Sequence, residues 1–382
     1  MLNFKVIGCG AAGNKAAICL HEAGFDIKNI TLINSTSRDI PEGYRNNSII
    51  FGADNHNTAL GGCGKEREVG KSFILSDMKA NKINLDTIPD ADTNAVIIVS
   101  STEGGSGSAV TPIIAKYICE VIGVPVITVL FFGFNTDVRG MQNSIEICQE
   151  LADSYGVIGI SNAKYLDEAN GNKIKAEQLA NKEFCKIVRI LSGQDIHAGS
   201  QNIDNTDLYK LVVTPGYMCI GSAPLKGVKN IDMFNKSVNT AIDESHLVET
   251  TVKSAKRIGA IFDIPESMSD CVDYNADALV QRYGTPYEMF THIQSAADQP
   301  SVSWIAAGMD LPIDEVKEIF ENYKAASEKV HKSKDDFFST IRGFSGNQED
   351  GMFNMLGDAR RSTNTKSAKN NFFGAYGMND SK

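Results

Sequence analysis

The sequence predicts an α/β fold: a parallel-sheet domain, a long central helix, a second α/β domain with a mixed sheet, a long C-terminal helix and a flexible tail. Three observations carry this. Unbroken apolar runs at 94–100 (N-A-V-I-I-V-S) and 126–132 alternate with helical segments, the pattern of strands buried on both faces. The segment 175–192 places Leu179, Phe184, Ile187, Val188 and Leu191 at helical spacing. After Ser345 the chain turns rich in Gly, Asn, Ser and Lys.

Residues 4–8 read as the first strand and 14–22 as a helix that Gly24 can end. Residues 30–33 read as a strand. Residues 109–122 read as a helix, with Pro112 in its first turn and Gly123 at its end. A helix over 141–155 and a strand over 157–161 follow the run at 126–132. This β-α-β alternation predicts a parallel sheet covered on both faces. Beyond the central helix, 218–222, 256–263, 288–295 and 301–309 read as strands, and 232–244 and 269–283 as helices. The expected boundaries are 1–174, 175–193, 194–311, a helix over 312–345 and a basic tail over 346–382.

The 382 residues carry a net charge of −10, which disfavours a general nucleic-acid surface. The N-terminus lacks the features of a secretory signal, and no apolar run approaches the roughly 18–20 residues of a membrane span. The eight cysteines form no C-x-x-C pair and have no histidine cluster beside them, so the expectation is reduced cysteines, no metal framework and a cytoplasmic protein.

Gly8-Cys9-Gly10-Ala11-Ala12-Gly13 lies between a strand and a helix, where free N–H groups and the helix dipole favour phosphate. Alone, this G-x-G-x-x-G invites an NAD-dependent oxidoreductase reading. Such a site wants an acid at the end of the next strand, which here ends in Asn34-Ser35-Thr36. A second strand–loop–helix cradle, Thr102-Glu103-Gly104-Gly105-Ser106-Gly107-Ser108, and a third glycine cluster at 61–64 suit a triphosphate gripped from two sides. The first domain is thus a Rossmann-like nucleotide-binding domain, without a Walker lysine motif.

The run Gly104–Ser108 resembles the signature loop of the tubulin/FtsZ superfamily of GTPases, with Glu103 in place of its first glycine and Ser106 in place of its threonine. The resemblance implies that Gly10, Ala11, Ala12, Asn14, Gly104, Gly105, Ser106, Gly107 and Ser108 touch phosphates of GTP or GDP. It places Gly62 and Lys65 near the γ-phosphate, with Mg²⁺ held through phosphates and water. In Phe134-Asn135-Thr136-Asp137-Val138-Arg139 it points to Arg139 and to an acid on the ribose. Asn135 has the family's spacing there and Asp137 the charge. Asn162, and more weakly Asn181, are its candidates for reading guanine.

Asn202-x-Asp204-x-x-Asp207 is the most specific match. In the family this loop enters the neighbouring subunit's pocket and activates water. As bare chemistry, Asp204 is also a helix N-cap with Asp207 as the third helical residue. Helix 175–192 spans roughly 25 Å and would carry these carboxylates away from their own nucleotide. That implies head-to-tail filaments with a shared active site.

The long C-terminal helix and basic tail are similar to TubZ, the plasmid and phage partition branch. This implies a filament that moves DNA indirectly, through a centromere-binding adaptor. Arg360, Arg361, Lys366 and Lys369, followed by Phe372, Phe373 and Tyr376, are the expected adaptor-binding segment. An FtsZ-like division GTPase is the alternative.

Overall fold

A computed structural model describes residues 1–52, 62–152, 156–248, 250–331 and 371–378. The expected helix beyond 331 and the basic residues of the tail lie outside them, as does Gly61. The strands are β1 (Phe4–Cys9), β2 (Ile30–Asn34), β3 (Ser48–Ile50), β4 (Ala95–Ser101), β5 (Val126–Phe132), β6 (Gly156–Ser161), β7 (Gly216–Pro224), β8 (Arg257–Asp263), β9 (Glu288–Gln294) and β10 (Ser301–Met309). They form one sheet in the order β3-β2-β1-β4-β5-β6-β7-β10-β8-β9. β3 through β7 run parallel. β10 is antiparallel to both β7 and β8, and β9 is parallel to β8. The mixed sheet expected after the central helix is therefore present, but it continues the parallel one. The joint is short, with β6 and β7 pairing at Gly156↔Gly216 and Val157↔Tyr217.

The helices are α1 (Gly10–Glu22), α2 (Arg67–Lys79), α3 (Gly107–Lys116), α4 (Val138–Leu151), α5 (Lys173–Ser192), α6 (Asn205–Val212), α7 (Ile231–Asp243), α8 (Asp277–Tyr283) and α9 (Ile313–His331). One apolar core joins α2, α3, α4, α7 and α8 to one sheet face, and a second joins α1, α5 and α6 to the other. Phe184, Ile187, Val188 and Leu191 of α5 are buried as their spacing predicts. Asn172 caps α5 by accepting from Lys175 N–H, and left-handed Gly193 ends it. Among the described residues no helix is long and apolar enough to cross a membrane.

Several boundaries differ from expectation for local reasons. α1 starts at Gly10, so most of the first glycine motif is the helix's opening turn. β3 and α2 were not foreseen. The expected helix over 269–283 is interrupted because Asp273 accepts from Asn275 and Asp277 N–H groups, and α8 starts only after left-handed Ala276.

α3 begins two residues early, which moves Pro112 into its interior. Proline has no N–H to give Ser108 O, four residues back. The buried Arg67 guanidinium donates to that carbonyl instead, at 3.1 Å, and pairs with Glu146 and Glu150 at 2.9 and 2.7 Å. The first turn of α2 thus locks onto α3 and α4. Beyond Lys116 the helix continues as a π-helical segment, Tyr117–Ile122, ended by left-handed Gly123.

The C-terminal part returns to the first domain. α9 packs on α4, and Tyr323 Oη donates to Thr136 O at 2.8 Å. Residues 371–378, expected within the flexible tail, instead carry a helical turn packed against the body, with Phe372 buried.

Candidate active site

Parallel pairing brings the C-terminal ends of β1, β2 and β4 to one edge, where open α/β sheets bind ligands. A cleft there is lined by Cys9, Gly10, Ala11, Ala12, Gly62, Ser101 and Gly104–Gly107, with Asn34, Ser35, Thr36 and Asp39. The two glycine loops touch. A Cβ on Gly10, whose φ is +71°, would stand 2.8 Å from Gly107 N. One on Gly105 would meet Lys65 N at 2.7 Å, whereas one on Gly104 meets nothing within 4 Å. Ser106 Oγ and Ser35 Oγ hydrogen-bond at 2.8 Å, tying the second glycine loop to the end of β2.

Of the residues matched to phosphate, Gly10, Ala11, Ala12, Gly62, Gly104, Gly105, Ser106 and Gly107 come together in this lining. Two do not. Ser108 is buried and its hydroxyl donates to Gly104 O, closing the loop on itself. Asn14 is fully buried in α1, and neither end of its amide has a hydrogen-bond partner among the described residues. Asn162 is buried at the end of β6, and Asn181 lies half-buried on α5. Neither lines the cleft.

Lys65, Asp137 and Arg139 gather beside Gly105 in a rim of ion pairs. Lys65 Nζ meets Asp137 Oδ2 at 2.5 Å, and Arg139 Nη2 meets Glu66 Oε2 at 2.7 Å. Asp137 also caps α4 by accepting from Gly140 N–H. Burial raises the Asp137 carboxyl pKa, but the Lys65 bond, the Gly140 N–H and the Lys65 charge outweigh it and hold the value below the usual range.

Glu103 turns away from the cleft. Its carboxylate accepts from Asn135 N–H at 3.2 Å and fills the space over Gly133, where a Cβ would lie 2.1 Å from it. Burial there pushes its pKa up. The substitution in the signature loop thus leaves the cleft free of that charge.

Asn34, Ser35, Thr36 and Asp39 belong to no recognisable motif, and Asn34-Ser35-Thr36 stands where a dinucleotide site would want an acid. The legible signal was their place just after β2, the parallel neighbour of β1. Their hydroxyl, amide and carboxylate groups give the cleft oxygen donors of the kind that suits a hydrated Mg²⁺.

Residues 3–170 match the family model described as Tubulin/FtsZ family, GTPase domain. This segment belongs to the tubulin/FtsZ family. The chain accordingly carries a GTPase domain, and the NAD-dependent oxidoreductase reading is set aside. It is 26% identical to the cell division protein FtsZ of Aquifex aeolicus over 271 residues, covering 70% of this chain and 72% of that one. Its fold is similar to Clostridium botulinum phage c-st TubZ (TM-score 0.63, 17% identity, 85% of this chain and 100% of that one). It is also similar to a GTPγS-bound protofilament of CetZ2 from Haloferax volcanii (TM-score 0.68, 18% identity, 86% and 100%).

The loop matched to the family's water-activating segment sits elsewhere. Asp204 Oδ1 accepts from Asp207 N–H at 2.8 Å, the N-cap geometry read from the sequence. Asn202 folds back on its own loop, bonding Gly199 N and O. Buried Ile203 and Leu208 anchor the segment, while Asn202 and Asp204 are exposed and Asp207 partly so. The Met1 amino group bonds Asn205 Oδ1 at 2.8 Å, and Leu2 N–H bonds Ser192 O at 2.9 Å. Asp204 and Asp207 therefore stand where β1 begins, and the cleft lies where β1 ends. β1 is six residues long, so at ~3.3 Å per residue the two are about 20 Å apart.

His292 supports this loop, a role its sequence position did not reveal. Fully buried in β9, its Nδ1 accepts from Ile203 N–H at 3.1 Å, and its Nε2 donates to Gln294 Oε1 at 2.9 Å. Backbone bonds from Ser200 N to Ile293 O and from Ile293 N to Gln201 O complete the attachment. His292→Leu fills the space but leaves the buried Ile203 N–H unpaired, a cost of about 1–3 kcal/mol. The expected result is lower thermal stability and slower hydrolysis by the assembled protein, with GTP affinity unchanged. A parallel loss of affinity would show that loop and cleft are not independent.

Proposed function

We propose that the protein is a GTP-hydrolysing, filament-forming tubulin-like protein in which each subunit completes the active site of its neighbour. The observation that carries this reading is the placement of Asp204 and Asp207 at the opposite sheet edge from the glycine-lined cleft. Groups ~20 Å apart in one subunit meet only when a second subunit stacks on the first. Such a contact is heterologous and propagates as a filament. GTP sits in the cleft against the glycine loops, with Mg²⁺ held through phosphates and water. A carboxylate from the next subunit orients the attacking water and takes its proton, and most of the catalysis comes from positioning.

The test is phosphate release against protein concentration, with sedimentation on the same samples. Release per subunit rises steeply above the concentration at which protein pellets with GTP, and neither NAD nor ATP replaces GTP. Full-rate hydrolysis by dilute, unassembled protein would refute the shared site.

For cargo, the reading is segregation of plasmid or phage DNA through a centromere-binding adaptor, supported by the TubZ-like fold. The FtsZ relatives favour a second reading, an FtsZ-like division GTPase. Loss of the gene separates the two. Unstable inheritance of a replicon in normally dividing cells supports the first, and a division block supports the second.

A further inference from the structure

We propose that a groove at the C-terminal ends of α2 and α3 is a peptide-docking site, and that residues 371–378 of the same chain are its resident, exchangeable ligand. Phe372 inserts until 3% of its surface remains exposed and meets the Tyr117 ring edge-to-face at 5.2 Å. Phe373 and Tyr376 pack on Phe372, each at 5.3 Å. At the rim, Lys116 Nζ stands 5.6 Å from the centre of the Tyr376 ring, and Lys79 Nζ donates to Met378 O at 3.0 Å. The segment thus has one buried anchor, two flanking aromatics and a cation at each side, the layout of a recognised peptide.

Its single helical turn, residues 371–375, is too short to persist alone, so the groove imposes its shape. The segment belongs to the same chain, so it occupies the groove as an intramolecular ligand, and a free peptide has to compete with it. A ligand held by one buried side chain and a few rim contacts is one that a partner or a free peptide can displace. The aromatic residues expected from the sequence to capture a partner are therefore already engaged, and the groove controls when they become available. The groove lies about 15 Å along α3 from the glycine loop, so emptying it leaves the cleft untouched.

The experiment uses a fluorescein-labelled peptide of residues 369–380 and full-length protein, read by anisotropy. Phe372→Ala with Tyr376→Ala empties the groove, and that variant is expected to bind the peptide at least ~10-fold more tightly than the wild type, whose own segment competes. Adding Tyr117→Ala to the emptied variant should weaken the peptide ~100-fold. Adding Lys79→Ala with Lys116→Ala, which leaves the core intact, should weaken it about 10-fold. GTP affinity, unchanged throughout, reports folding. No peptide binding to the emptied variant, or equal binding to it and the wild type, overturns the proposal.

Discussion

Asp204→Asn and Asp207→Asn are expected to slow GTP turnover in assembled protein by at least ~100-fold while leaving GTP affinity and sedimentation unchanged. Asparagine is the informative choice at position 204. Asp204 Oδ1 caps α6 through Asp207 N–H, and alanine would remove that cap at a cost of about 1 kcal/mol. Asparagine caps as well as aspartate but cannot take a proton from water. A slow Asp204→Asn protein with normal thermal stability therefore separates chemistry from helix stability. Filaments of either variant should outlive those of the wild type, since their GTP persists. Mixing a carboxylate variant with a subunit that cannot bind nucleotide should leave the deficit largely in place at contacts between variants. It should restore turnover where an intact Asp204 faces a loaded cleft. Turnover that falls equally in dilute, unassembled protein would put these carboxylates in their own subunit's site and sink the shared-site reading.

Gly104→Val is expected to weaken GTP binding ~100-fold or more with no change in thermal midpoint. A Cβ at Gly104 enters open space in the cleft lining, so its cost falls on whatever the cleft binds. Gly105→Val, in the same loop, is a poorer probe. Its Cβ would stand 2.7 Å from Lys65 N, and backbone must move before any ligand is involved. That variant should lose stability and affinity together. Calorimetric titration with GTP and a thermal melt on each protein distinguish the cases. Normal GTP affinity in a folded Gly104→Val protein would remove the second glycine loop from the binding site.

The contrast between these two glycines marks where sequence reading stops. The motif G-G-S-G-S says that backbone approaches something closely at each position. It does not say whether that something is a ligand or another loop of the same chain. Glu103 poses the same problem. As a letter in the signature loop it places a negative charge among phosphates. In the fold its side chain reaches Asn135 N–H over Gly133, two residues that share no local pattern with it. Asp39 is the converse case, five residues past the end of β2 with no motif around it, yet part of the cleft.

The parallel core, the central helix, both glycine loops and the Asp204 cap are legible in the residues alone. Each of these is written in local terms: unbroken apolar runs, helical spacing, glycine between strand and helix, and a capping side chain three residues before its N–H. Features that depend on distant partners are fixed by packing. Pro112 sits inside α3 because Arg67 supplies the hydrogen bond that proline cannot. The two predicted domains share one sheet because β7 finds the edge of β6. His292 holds the loop of Asn202, and Phe372 settles on Tyr117, across sequence separations that no periodicity records. Local patterns follow from the covalent geometry of neighbouring residues. These pairings follow from which groups a folded chain leaves unsatisfied, and that becomes fixed only when the elements pack.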